Sequence, residues 1–218
     1  MEGNIMDKMT KKIIAAFVAI IVAAAAVTGV YYLMNKQAEE EAKEEGKIPG
    51  SEAGKLLAKD LELKYPETAT EVIKLYWRFN RCMYNDTEEI SDSDFEGLLK
   101  QLRLLYDDEL LAGEGNSYEE MLKSFKEDKE KTERSISTAC IVQANDTVQV
   151  VELDGKECAT VISFCLIKED GKMTQTYEKF MCRRDNNNKW KILGWQPTNA
   201  DDAAKVGVKY QKDKKDEK

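Results

Sequence analysis

The chain has 218 residues, 41 Asp and Glu against 33 Lys and Arg, a formal net charge of −8, and no histidine. The acidic balance excludes nucleic acid as a partner, because phosphate binding needs a clustered basic face. The missing imidazole removes the commonest general base, the usual activator of a Ser or Cys nucleophile and the commonest metal ligand, so neither a metal nor a cofactor is expected.

Residues 1–12 carry Lys8, Lys11 and Lys12 and read as a cytoplasmic tail. The next 22 residues, Ile13 to Met34, read IIAAFVAIIVAAAAVTGVYYLM without a charge. As a helix they would extend roughly 33 Å, against a hydrocarbon core of about 30 Å. Ile13, Phe17 and Ile21 give the run apolar bulk, and Tyr31 and Tyr32 stand where an interfacial aromatic belt belongs. The run is longer than the apolar core of a cleaved signal, so an uncleaved signal anchor is expected.

Basic residues number three on each side of the run, but Lys11 and Lys12 abut it. The far side opens with one lysine, Lys36, and then a run of glutamates from Glu39 to Glu45. That asymmetry predicts a cytoplasmic N-terminus and an extracytoplasmic C-terminal domain, with the bilayer as the first partner. Ala15, Ala19 and Ala23 are small enough to bring two anchors together as a homodimer. Residues 35–50 form a charged stalk or linker, with Glu39 and Lys43 spaced as a helical pair and Gly46, Pro49 and Gly50 as stops.

Residues 51–198 are of single-domain size and predict an α+β fold. A short helix is expected over Ser51 to Lys64. Three more follow, opened by Thr68 with Glu71, Ser91 with Asp94 and Ser117 with Glu120. Their apolar residues recur at three and four, as in Val72, Leu75, Tyr76, Phe79 and Met83, so each lays one side on a core.

From Ser135 the period changes to two, predicting strands at Ser135 to Ala144, Thr147 to Leu153, Lys156 to Lys168, Lys172 to Arg184 and Lys189 to Trp195. The short links predict an antiparallel meander. Pairing through Asp170 and Gly171 puts Ile162, Phe164 and Leu166 on one face with Tyr177, Lys179 and Met181. Continuing through Asp185 to Asn188 adds Trp190 and Ile192, and this face is expected to receive the helices. The opposite face, with Val161, Cys165, Phe180, Cys182 and Trp195, is apolar enough to suggest a curved sheet, a dimer contact or a site for an envelope partner.

Five cysteines without ligand spacing, Cys82, Cys140, Cys158, Cys165 and Cys182, are expected to be small buried thiols rather than a disulfide framework. Residues 199–218 are expected to form a disordered charged tail.

Helices followed by long strands, closing on Phe180 to Asp185 and on Lys189, Trp190, Lys191, Ile192, Leu193, Gly194 and Trp195, resemble the NTF2-like superfamily of α+β cone folds. The whole chain also looks like a family of single-pass bacterial membrane proteins of unknown function. The resemblance implies three to four helices packed on a curved antiparallel sheet, with a conical pocket for a small molecule. Tyr76, Tyr177, Lys179 and Trp190 are the pocket candidates, with no catalytic residue assigned. A non-catalytic binding module is the first reading. A cone-pocket isomerase or dehydratase and a structural subunit of an envelope complex are the alternatives. A desolvated ionisable group at the base of the pocket would favour the enzyme.

Overall fold

A computed structural model of the chain describes residues 50–85 and 90–210. The proposed tail, anchor and stalk at 1–49 lie outside the described residues. Among those described, no helix is long and apolar enough to cross a membrane.

The described chain is mixed α+β with one antiparallel sheet. Five helices come first: α1 (Glu52–Leu57), α2 (Ala69–Asn85), α3 (Asp92–Arg103), a single turn α4 (Asp108–Leu111) and α5 (Tyr118–Lys131). All three expected caps form. Thr68 and Glu71 exchange backbone and side-chain bonds at α2, the Ser91 hydroxyl accepts from the Asp94 amide at α3, and Ser117 and Glu120 close a reciprocal box at α5. Helix α2 is the hub, buried at Val72, Ile73, Leu75, Tyr76, Trp77, Phe79, Asn80, Cys82 and Met83.

The sheet follows as β1 (Ser135–Ile136), β2 (Ile141–Val142), β3 (Val150–Leu153), β4 (Lys156–Glu169), β5 (Lys172–Arg184) and β6 (Trp190–Pro197). Segments β1, β2 and β3 all pair antiparallel along one edge of β4, which pairs with β5 and then β6. Both Asp-Gly links are tight turns with two successive left-handed residues, Asp154 (φ 51°) with Gly155 (φ 73°) and Asp170 (φ 49°) with Gly171 (φ 78°). That geometry matches the right-handed twist of the strands it joins.

The β4–β5 register is the expected one, with Phe164 opposite Tyr177 and Ile162 opposite Lys179. Which face of β4 and β5 is inside is reversed. Val161, Cys165, Phe180, Cys182, Trp190 and Ile192 join α2 and α3 in the main core, whereas Ile162 and Phe164 belong to a second, smaller cluster. The expectation of a partner-ready apolar face at Val161 to Trp195 is thereby corrected, because the helices occupy it.

Trp190 and Ile192 stay on the helical side, as expected, although β4 and β5 are turned over, and the loop between β5 and β6 is the reason. Asp185 pairs with Lys189 and Arg184 with Trp190, so the loop proper is Asn186 to Asn188, with Asn188 at φ 60°. A loop one residue longer shifts the register by one and turns every side chain of β6 over. Leu193 is then an extra residue: Cys182 faces Ile192 while Met181 faces Gly194, and the resulting bulge turns Trp195 to the same side as Phe180. Trp190, Ile192 and Trp195 all reach the helical side despite their mixed parity.

The second cluster corrects the tail. Helix α6 (Ala200–Lys205) is capped by Asn199, whose side chain accepts from the Asp202 amide, and it brings Ala203, Val206, Val208 and Tyr210 onto Ile162, Phe164 and Tyr177. The Tyr210 ring lies 5.1 Å from that of Phe164. The domain therefore runs to residue 210, and 211–218 lie outside the described residues.

The cysteines are also corrected. Between β1 and β2 the register along β4 changes from Ile136 opposite Ile167 to Ile141 opposite Phe164. The offset leaves Cys140 directly across from Cys165 with Cα atoms 4.3 Å apart, and the two form a disulfide. Cys158 and Cys182 stay unbridged, as expected, because they sit one position off register on opposite faces. Burial, helped by the neighbouring Cys158, pushes the Cys182 thiol up to about 12, which keeps it unreactive.

With a sequence separation of 25 between its cysteines, the disulfide restricts the unfolded chain by an amount worth about 3 kcal/mol. Cys140→Ser should lower unfolding stability by about that much in denaturant titration, and added reductant should then leave the variant unchanged while destabilising the parent.

Candidate functional site

A cavity of about 300 Å³ lies between the helices and the core face of the sheet. Helix α2 contributes Tyr76, Trp77, Asn80 and Tyr84. Tyr76, Asn80 and Tyr84 are spaced by four, so one line of the helix faces the space. Tyr106 enters from the turn after α3, Met121, Ser124 and Phe125 come from α5, Glu178 from β5 and Trp195 from β6.

Tyr106 is held by the edge of the sheet. The Asp107 amide donates to Ile192 O (2.9 Å) and the Ile192 amide donates to Leu105 O (2.8 Å), so residues 105–107 add a short bridge beside β6. The Asp107 carboxylate, buried and capping α4, accepts from Arg183 Nη2 at 2.6 Å and Nε at 3.1 Å. Burial opposes its ionisation, but Arg183 and the Glu109 amide outweigh that and hold the Asp107 carboxyl below its ordinary range. The same bulge that turns Trp195 to the helical side, where the residue stays 42% exposed, brings its ring 5.7 Å from Tyr76 and 6.0 Å from Tyr106, and Tyr76 and Tyr106 are 6.5 Å apart. The three rings are tilted by 36–52°, so they form a corner rather than a stack.

Glu178 is the one carboxylic acid among the lining residues. It faces the helices from the same side of β5 as Phe180, between Ser163 of β4 and Pro197 of β6. The Ser163 hydroxyl is engaged by the indole Nε1 of Trp77 at 2.9 Å, a bond that fixes α2 on β4. Glu178 Oε2 is buried with no hydrogen-bond partner among the protein atoms. Burial alone lifts its carboxyl to about 7. Burial also raises the phenols of Tyr76 and Tyr106, and the proximity of Glu178 adds to both shifts, so these remain neutral hydroxyls beside it.

The remaining charged group at the cavity is Arg134. Its Nη1 donates to Asp128 Oδ2 (2.6 Å) and its Nη2 to Glu169 Oε1 (3.0 Å), and the Tyr84 hydroxyl donates to the same Asp128 oxygen at 2.7 Å. Two carboxylates thus offset one guanidinium. Its Nε is buried without a partner. Among the described residues no three Cys, Asp or Glu side chains converge as metal ligands.

Of the four sequence candidates, Tyr76 alone lines this cavity. Tyr177 lies on the other face, its ring 5.0 Å from Phe164. Lys179 lines a separate shallow depression of about 220 Å³ with Met181, Gln196 and the edge residue Trp195. Trp190 is buried core, capped by the Arg184 guanidinium 4.5 Å from its ring centre, with its carbonyl accepting from Tyr65 Oη at 2.7 Å. Of the residues missed, Glu178 and Trp195 follow from the reversed faces and the bulge in β6, and Tyr106 from the bridge of residues 105–107 to β6. Their signal was a lone Glu at the parity of Phe180 and Cys182. The anchor residues Ile13, Phe17, Ile21, Tyr31 and Tyr32 lie outside the described residues.

Because the folded Glu178 carboxyl is raised from 4.5 to about 7, the folded state holds a proton that the unfolded state releases. Its contribution is complete below pH of about 4.5 and is lost as pH rises through about 7, a swing of about 3 kcal/mol. Thermal melts of Glu178→Gln should therefore gain on the parent between pH 5 and pH 8, whereas a constant difference between the two would count against a desolvated Glu178.

No curated protein matches the sequence. One family model does match, over residues 6–195, which takes in the apolar run, the helices and the sheet as far as Trp195. The chain belongs to that family, described as a domain of unknown function (DUF6715).

Proposed function

We propose that the chain is a single-pass membrane protein with a cytoplasmic N-terminus, whose NTF2-like domain binds a small organic molecule outside the membrane in a conical pocket. The observation that carries the binding reading is Glu178, a half-buried side chain whose Oε2 is buried and unpartnered, in a cavity whose volume is at the lower end of the range for small-molecule sites, about 300–1,000 Å³. An ionisable group that folding leaves unpaired lowers stability, and such groups concentrate where a protein meets a ligand.

The NTF2-like assignment is supported by helices preceding the sheet, the long β4–β5 hairpin, the bulged last strand and a cavity between the two layers. The charge-free run Ile13 to Met34 supports the bilayer as partner. The Cys140–Cys165 disulfide adds independent support for an oxidising, extracytoplasmic setting. A structural-subunit reading loses its ground, since the apolar face on which it rested packs against the helices.

Glu178 also favours a second reading, an acid–base enzyme of the isomerase or dehydratase kind. A carboxyl titrating near 7 beside two neutral phenols has the parts for moving a proton on a bound molecule.

Fragment screening by NMR on the full-length chain in nanodiscs tests the pocket. Binders should shift signals of Tyr76, Tyr106 and Trp195, and Ser124→Trp at the exposed rim should cancel the response. A library that leaves those signals untouched overturns the reading. A compound that turns over in the parent but only binds in Glu178→Gln selects the enzyme. Protease applied to intact cells should remove the domain, and its survival would reverse the orientation.

A further inference from the structure

Three features of the cavity bear on the charge of its occupant. The first is the unpartnered Oε2 of Glu178, an acceptor that no protein donor reaches. The second is the aromatic corner of Tyr76, Tyr106 and Trp195, whose ring faces carry negative potential. The third is the balance at Arg134, where Asp128 and Glu169 sit at 2.6 Å and 3.0 Å and more than neutralise the guanidinium. An anion would meet Glu178, and the one donor left open on Arg134, its Nε, belongs to a guanidinium already held by two carboxylates. A neutral apolar molecule would leave the carboxyl unpaired.

We propose that the cavity is a site for a compact organic cation, a primary or secondary ammonium that donates a hydrogen bond to Glu178 and rests its charge against the rings of Tyr76, Tyr106 and Trp195. The inference rests on the small-molecule reading above and names the ligand class for that same cavity. A protonated amine supplies what each wall lacks: a donor for Oε2 and a positive charge for the ring faces. An N–H donor suits the carboxylate better than a quaternary ammonium, which can only touch the rings.

Binding and ionisation are linked at this site. The titratable or charged groups lining the cavity are Tyr76 and Tyr84 from α2, Tyr106 from the turn after α3, Arg134 ahead of β1 and Glu178 from β5, and the lining residues of α5 and β6 add none. The three phenols are raised by burial and stay neutral, and Arg134 stays charged, so Glu178 alone changes state near neutral pH. The cation binds the ionised carboxylate. Below about 7 each pH unit should cost about tenfold in affinity, because the proton must leave first.

The probe is cyclohexylammonium, with cyclohexanol as the neutral analogue and cyclohexanecarboxylate as the anionic one, titrated by calorimetry and NMR into the full-length chain in nanodiscs. Like a lysine amine, which titrates near ~10.4, the ammonium keeps its charge across the range studied. The expected result is binding of the ammonium that strengthens about a hundredfold from pH 5 to pH 8, with weaker, pH-independent binding of the alcohol. Glu178→Gln should remove the pH dependence and weaken the ammonium, with circular dichroism confirming that the variant is folded. If the alcohol or the carboxylate binds as tightly as the ammonium, or if Glu178→Gln leaves ammonium binding unchanged, the cation assignment is overturned while the pocket reading survives. If no probe of any charge shifts Tyr76, Tyr106 or Trp195, the pocket reading fails and this inference fails with it.

Discussion

A single residue of loop length between β5 and β6 decides what the inside of this protein contains. Asp185 holds the turn, its side chain accepting from the amides of Asn187 and Lys189 at 2.8 Å each and its amide donating to Lys189 O at 2.9 Å. The three-residue loop that results sets Arg184 opposite Trp190. From that register Trp190 and Ile192 enter the main core, and the bulge at Leu193 then delivers Trp195 to the cavity. A four-residue loop would send Trp190 and Ile192 to the other side. The apolar content of β6 makes such a slip costly, since each large side chain exposed forfeits about 1.5–3 kcal/mol of burial.

The edges of the sheet follow from the same economy of pairing. Strand β4 is long enough that three short segments share its outer edge. The break between the first two carries the Cys140–Cys165 disulfide, which holds them where few backbone bonds remain. At the other edge, residues 105–107 bond to β6 around Ile192, and Arg183 grips Asp107 from β5. This second device covers an open strand edge and sets Tyr106 against the cavity. One arrangement therefore serves both stability and the site.

Local chemistry was the legible part of the chain. Ser or Thr with an acidic residue three positions on announced the starts of α2, α3 and α5, and the Asp170-Gly171 pair announced a turn whose geometry demands left-handed residues. The β4–β5 pairing was legible for the same reason, since a two-residue turn leaves no freedom in register. What could not be read was which face of that hairpin meets the helices. Both faces are apolar, because the second is covered by Ala203, Val208 and Tyr210 from a segment whose charge density looks like a tail. With two apolar faces, alternation carries no information about inside and outside. The Cys140–Cys165 bridge was hidden by the irregular break between β1 and β2, and Glu178 was hidden by the reversed faces.

Glu178 is the point at which local stability and the arrangement of the core disagree. The neighbouring positions on its side of β5 and β4 are filled by Phe180, Val161 and Cys165, all fully buried, and the Ser163 hydroxyl opposite it already serves Trp77. A glutamine or an aliphatic residue would suit that wall with less strain on folding, and the carboxyl's rise to about 7 puts the disadvantage above neutral pH at about 3 kcal/mol. That is a large share of a domain's typical stability of about 5–15 kcal/mol. The buried carboxylate near the cavity, Asp107, is held at both oxygens by Arg183 and stabilises the fold. The contrast between a carboxylate fully satisfied by its own chain and one left open toward a cavity separates a residue that builds the domain from one that gives it something to bind.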